Sequence, residues 1–183
     1  MKDYWQNYID GEFIDGGAGK IQVDDPGTGR RLADQALASE KDVDKAVEAA
    51  TRVHKSCFLT DMRPVERARM VKKIGEYLLE KADEIAPILS REAGKTLFEA
   101  RLEVTNAARY FEYYGNQAET LEGRSIPLGA TYYDFTTYEP YGISAQVIPW
   151  NFPMEMTARS LSTGLTTGNT CVIKTPELTP LTQ

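Results

Sequence analysis

Along the first forty or so residues of this chain, apolar and polar positions alternate in short runs instead of following a long period. Asn7-Tyr-Ile-Asp-Gly-Glu-Phe-Ile14 alternates about Asp10-Gly11, a pair suited to the left-handed backbone of a tight turn, and predicts a β-hairpin. Gly16 to Gly19 reads as a loop, Lys20 to Val23 as a strand, Asp25-Pro-Gly-Thr-Gly29 as a turn and Arg31 to Leu37 as a second strand. The period changes at Ser39, which with Asp42 makes an acidic variant of a helix capping box. Val43, Ala46, Val47, Ala50 and Val53 follow at helical spacing and are expected in the core. A second helix opens at Pro64 and carries Ala68, Val71, Ile74 and Leu78 on one face. A third runs from Ala82 to Ala93, where the interior Pro87 is expected to bend or split it, and Gly94 offers a left-handed stop. A long helix from Thr96 to about Thr120 places Leu97, Val104, Ala108, Phe111 and Ala118 inward.

The texture changes at Gly123. Thr131-Tyr-Tyr-Asp-Phe-Thr-Thr-Tyr138 is rich in β-branched and aromatic residues and predicts an exposed ribbon, able to pair with another chain or to stand as an ordinary edge strand. Beyond it the pattern reads strand (143–148), helix (153–167) and strand (170–173), a βαβ unit of ordinary size. The second strand is continuously apolar, as parallel strands covered on both faces are. The class is therefore α/β, with a helical amino-terminal layer leading into the start of an open parallel sheet.

Ile143-Ser-Ala-Gln-Val-Ile-Pro-Trp-Asn151-Phe-Pro-Met is where the chemistry concentrates. Pro149 cannot donate to a ladder and ends the strand, while Pro153 suits the first turn of a helix. Asn151 is thereby held on a short corner at the carboxyl end of a strand, where open α/β sheets bind ligands. A carboxamide there can cap the helix, or it can act as a fixed N–H donor toward an oxygen that becomes negative during reaction. Lys174 ends the second strand on the same sheet edge, and Glu177 follows three residues later. Such a pair can straddle the hydroxyls of a ribose or form a surface ion pair of small energetic weight.

At 183 residues the chain is long enough for one domain with a sizeable core, and its 42% hydrophobic and 26% charged residues are ordinary for a soluble globular protein. A net charge of −6 without any basic run argues against nucleic-acid binding. No apolar stretch approaches a membrane span, and the start Met-Lys-Asp-Tyr-Trp-Gln has no secretory apolar region, so a cytoplasmic location is expected. Two cysteines exclude a disulfide scaffold, and a single histidine makes a zinc site untenable. Cys171 reads as an inert core thiol. Cys57 follows a helix carboxyl end that disfavours a thiolate, and His54 on the last turn reads as a surface residue.

Pro149-Trp-Asn-Phe-Pro153, Gly168-Asn169 and Val172-Ile-Lys174-Thr-Pro-Glu177-Leu-Thr-Pro180-Leu-Thr together resemble the aldehyde dehydrogenase superfamily, over the full chain and more weakly before residue 90. The resemblance implies NAD(P)-dependent oxidation of an aldehyde to an acid through a cysteine thiohemiacetal, on a Rossmann-like cofactor domain. It divides the chain into amino-terminal strands and helices (1–122), a β-ribbon oligomerisation arm (123–139) and the first βαβ of the cofactor domain (140–183). It implies Asn151 as oxyanion donor, Ile148, Pro149, Trp150, Lys174 and Glu177 beside the cofactor, and Phe152, Met156 and Arg159 along the aldehyde path. Ser160 departs from the lysine common in many members, which puts a proton relay there in doubt. Glu177 would accept from a free 2′-hydroxyl and repel a 2′-phosphate, which favours NAD over NADP. The G-x-G-x-x-G fingerprint is absent, and the family's glycine pattern, catalytic cysteine and general-base glutamate are expected beyond residue 183. The 183 residues alone are accordingly expected to be inactive, and the protein to act as a homodimer or homotetramer on a small aldehyde, without nucleic acid or membrane. Two rivals differ in class: a non-catalytic remnant serving as an assembly partner, and a relative that reduces acyl groups.

Overall fold

The short alternating segments form strands in a computed structural model that describes residues 2–183. These are β1 (Tyr4–Trp5), which the pattern did not announce, β2 (Asn7–Ile9), β3 (Glu12–Ile14), β4 (Lys20–Asp25) and β5 (Arg30–Ala36). β2 and β3 pair antiparallel through Asp10 and Gly11 at φ 56° and 83°, both left-handed as this turn requires. β4 and β5 form a second hairpin and β1 adds to β5 in parallel, so the sheet runs β1-β5-β4. Its buried face, Val23, Leu32 and Ala33, packs with Trp5, Ile88 and Leu181.

Four helices follow: α1 (Glu40–Lys55), α2 (Pro64–Glu80), α3 (Ala82–Ala93) and α4 (Leu97–Gln117). Asp42 accepts from the Ser39 amide and hydroxyl and from the Gly17 amide, each at 2.8 Å. The apolar stripe of α1 is only partly the core stripe its spacing predicts. Ala50 is buried as expected and Ala46 half-buried, but Val43, Val47 and Val53 are exposed, and Ala49, outside the stripe, helps seat the helix. The Thr170 hydroxyl donates to the Ala50 carbonyl at 3.1 Å, an approach that only small side chains on that face permit. Leu97, on the first turn of α4, is also exposed. α3 runs unbroken through Pro87, neither split nor stopped. Pro87 and Asp83 both lie on the exposed side, where the carbonyl left without its partner can turn to water. α2 and α4 cross closely. A Cβ on Gly75 would lie 2.7 Å from the Ala108 carbonyl oxygen, and one on Gly115 would lie 2.6 Å from Lys72 Cγ. The core between the helices is built on Val71, Leu89, Val104, Phe111 and Met154.

The remaining elements are β6 (Ser125–Pro127), β7 (Tyr133–Phe135), β8 (Ile143–Val147), α5 (Pro153–Thr166) and β9 (Thr170–Lys174). β6 and β7 pair antiparallel as an exposed ribbon, with Tyr133 96% and Phe135 70% accessible. β8 and β9 pair in parallel around α5, with Val147 opposite Lys174. Cys171, Val172 and Ile173 are half-buried, not enclosed on both faces as expected, because β8 and β9 form a sheet of only two strands here. α5 lies between this sheet and α4 and contributes Met154 and Ala158 to the helical core. Among the described residues, no helix is long and apolar enough to cross a membrane.

Candidate active-site corner

β8 stops where its proline dictates. The Ile148 amide still donates to the Lys174 carbonyl at 3.1 Å, and Pro149 then leaves the ladder without a donor. Trp150, Asn151 and Phe152 follow on an exposed bend, and Pro153 opens α5. The N-cap position belongs to Phe152 (φ −138°, ψ 64°), so the cap reading of Asn151 fails. Capping comes instead from α4: Glu103 Oε1 accepts from the Met154 and Glu155 amides at 3.1 and 3.3 Å. The second carboxylate oxygen of Glu103 pairs with Lys95, whose ammonium also sits 3.8 Å from the centroid of the Phe152 ring. Among the described residues, the Asn151 side chain makes no hydrogen bond, and it is exposed.

The parallel register brings the end of β9 to the same edge. Lys174 Nζ donates to Glu177 Oε1 at 2.5 Å, with both side chains more than half exposed. That hydrogen bond is the main reason the Glu177 carboxyl is held below the usual carboxylate range. The returning segment is fastened to the rest. The Thr179 hydroxyl, buried, donates to the Trp150 carbonyl at 3.1 Å. The Leu181 amide donates to Glu92 Oε2 at 2.8 Å, and the Thr182 hydroxyl bonds the other Glu92 oxygen. Glu92 is 3% exposed, and burial pushes its carboxyl up to about 7.

The remaining candidates lie along α5. Met156 is half-buried and Arg159 exposed, close to one turn apart. Glu155, four residues before Arg159, receives the Tyr110 hydroxyl at 3.4 Å and forms no ion pair with Arg159. An open cleft of about 550 Å³ runs between α4 and α5, lined by Arg109, Tyr110, Tyr113, Tyr114 and Glu155 among others. It does not include Phe152, Met156 or Arg159. Ser160 is half-buried, and its backbone carbonyl accepts from the Gln146 side-chain Nε2 at 2.9 Å. Cys171 lies on β9 with its thiol pushed up to about 11 by burial, which leaves it neutral near pH 7. Cys57 is exposed, in the turn after α1. His54 is not the free surface residue its position predicts: its ring packs on Gly142, and its Nδ1 is buried without a partner.

The contacts by which Glu103, Glu92, Thr179 and the Lys95 ammonium on Phe152 fasten the corner and the returning segment escape a local reading because they join residues 29 to 90 positions apart. One signal was available. Glu103 occupies a core position within the buried run Ala100, Val104 and Ala107 of α4, and a carboxylate there requires a partner.

The aldehyde dehydrogenase family profile matches residues 13–183. An aldehyde dehydrogenase of Aspergillus niger is 36% identical over 175 residues, which are 95% of this chain and 35% of that protein. The hydroxyisobutyraldehyde dehydrogenase of Mycolicibacterium austroafricanum is also 36% identical, over 95% of this chain and 34% of its own length. Among solved structures, PnpE in complex with nicotinamide adenine dinucleotide superposes with a TM-score of 0.92 at 37% identity, covering 97% of this chain and 37% of that one. The chain thus spans about a third of the length of the curated relatives it matches.

Proposed function

The chain belongs to the aldehyde dehydrogenase family, and from that premise we propose that the protein carrying it oxidises an aldehyde to a carboxylic acid with NAD. The observation that carries this reading is the exposed, unpartnered carboxamide of Asn151 beside the exposed Lys174–Glu177 pair on one sheet edge. When a thiolate adds to an aldehyde carbonyl, the oxygen gains charge, and a fixed N–H donor stabilises that oxygen more than it stabilises the starting carbonyl. Asn151 is that donor. Neither Cys57 nor Cys171 is the nucleophile, so these 183 residues alone carry out no oxidation.

NAD, when bound, supplies the hydride acceptor. The donor set suits its ribose: the Lys174 ammonium donates to hydroxyl oxygens, and the Glu177 carboxylate accepts from them. A carboxylate at that place repels a 2′-phosphate, which favours NAD over NADP. The backbone from Ile148 to Trp150 lies beside this pair through the bond from the Ile148 amide to the Lys174 carbonyl. Replacing Lys174 with Ala is expected to weaken NAD binding by about 1.5–3 kcal/mol, the worth of one hydrogen bond to a charged group. Calorimetric titration of both proteins with NAD checks it, and equal affinities return the pair to the surface-ion-pair reading.

Phe152, Met156 and Arg159 border the aldehyde path. With Glu155 engaged by Tyr110, Arg159 keeps its guanidinium for an anion, and a bidentate carboxylate is its natural match. An ω-carboxylated semialdehyde is the substrate class this favours. Arg159→Ala should then reduce kcat/KM by about 10–100-fold for such a semialdehyde, the worth of one charge-assisted hydrogen bond, and much less for a neutral aldehyde of equal length. Equal losses on both would place Arg159 on the outer helix surface. The β6–β7 ribbon, with its exposed aromatic residues, is the arm through which copies pair into a homodimer or homotetramer.

A further inference from the structure

We infer that Glu103 and Lys95 are positioning residues that keep the Asn151 carboxamide free to act; the inference rests on the function proposed above. A helix begins with several N–H groups that lack partners, and the usual remedy is a Ser, Thr, Asp or Asn at the cap. α5 lacks that remedy. Its cap residue is Phe152, and Pro153 removes only one of the orphan donors. Between Pro149 and Pro153, Asn151 is the one residue whose side chain could accept them. It is spared because a carboxylate from α4, 51 residues earlier, accepts from the Met154 and Glu155 amides.

That arrangement holds only if the carboxylate stays charged and in place. The Glu103 side chain is 1% exposed, a costly place for a lone charge, and Lys95, 14% exposed, supplies its counter-charge. The same ammonium lies 3.8 Å from the centre of the Phe152 ring, within cation–π range. One ion pair therefore grips the corner twice. Glu103 holds the backbone just after it, and Lys95 holds the ring of the residue next to Asn151. Without Glu103, the Met154 and Glu155 amides would be left to the one side-chain acceptor within the corner itself, the Asn151 oxygen. Turning that oxygen onto the helix turns the amide donor away from the substrate. The role of Glu103 is thus to relieve Asn151 of capping.

The test is a double-mutant cycle in the whole enzyme. Glu103→Leu, which removes the acceptor of the Met154 and Glu155 amides, should lower kcat by about 10–100-fold, the scale of a misplaced catalytic group, while KM for NAD stays within about twofold because Lys174 and Glu177 are untouched. In an Asn151→Ala background the same substitution should change kcat by less than about twofold, because groups acting as a unit are not additive. Equal losses in both backgrounds would mean a structural role and overturn the inference alone. Absence of aldehyde oxidation by the wild-type enzyme would overturn the proposed function, and this inference with it. Hydrogen exchange of the Met154 and Glu155 amides in the wild-type protein needs no variant to fold. Both should be protected beyond the first turn of an uncapped helix, and rapid exchange at both would overturn the inference.

Discussion

Replacing Asn151 with Ala in the complete enzyme is expected to lower kcat by about 10²–10³-fold, the usual consequence of losing one oxyanion donor. KM should move far less. The carboxamide interacts strongly only once charge has built up on the reacting oxygen, and an interaction confined to the transition state appears in kcat. The same variant should fold about as well as the wild type, within about 0.5 kcal/mol, because the exposed Asn151 side chain makes no hydrogen bond among the described residues. Those two results together separate catalysis from capping. A helix cap replaced by alanine costs about 1 kcal/mol of stability and leaves turnover per folded molecule intact. The structure already weighs against that outcome, since α5 is capped by Glu103. Steady-state kinetics on active-site-titrated protein, with a denaturation curve for each variant, decides between them.

The βαβ unit and the bounds of its corner were legible in the sequence because the breaks that define them are set locally. Pro149 and Pro153 bound the bend by their own covalent geometry, and the expected helix 153–167 and strand 170–173 appear as Pro153–Thr166 and Thr170–Lys174. The Asp10-Gly11 turn was legible for the same reason. What escaped depends on neighbours the pattern does not name. Spacing placed Ala50 of α1 correctly but also put Val43, Val47 and Val53 inward; the surface the helix meets decided which face is buried, and close contact with β9 favoured the small Ala49 and Ala50. The split expected as one outcome at Pro87 does not occur; its missing N–H was visible in the sequence and its exposed side was not. The Asn151 cap was the local choice, overruled by a carboxylate from another helix. Carboxylates inside apolar stripes, Glu92 on α3 and Glu103 on α4, were the signal for these long-range fastenings.

Glu92 also sets an expected pH dependence of stability, and its sign runs opposite to that of ordinary acid denaturation. In an unfolded chain its carboxyl ionises near its reference value of about 4.3; in the fold, burial pushes it up to about 7, with the charge of Glu103 adding to the effect and the hydrogen bonds from Thr182 and Leu181 opposing it. The folded state therefore holds the proton more tightly than the unfolded state. Its contribution is fully present below about pH 4.3 and is lost as pH rises through about 7, up to about 4 kcal/mol in all. Two other carboxyls act in a separate window. Arg31 and Lys20 hold Asp34 at about 2, and the Ser39 and Gly17 amides hold Asp42 at about 2. Their contributions are present above about pH 4 and fall away as pH drops toward 2. The two windows do not overlap, so the decline from pH 4.5 to 7.5 is read without interference from them. Glu92→Gln copies the protonated form, accepting from the Leu181 amide and donating to the Thr182 hydroxyl, and it should flatten the profile across that range. The measurement is the unfolding free energy from urea titrations at half-unit pH steps for both proteins. Parallel curves would mean that Glu92 is ionised in the fold at neutral pH, its burial offset by the Leu181 and Thr182 bonds.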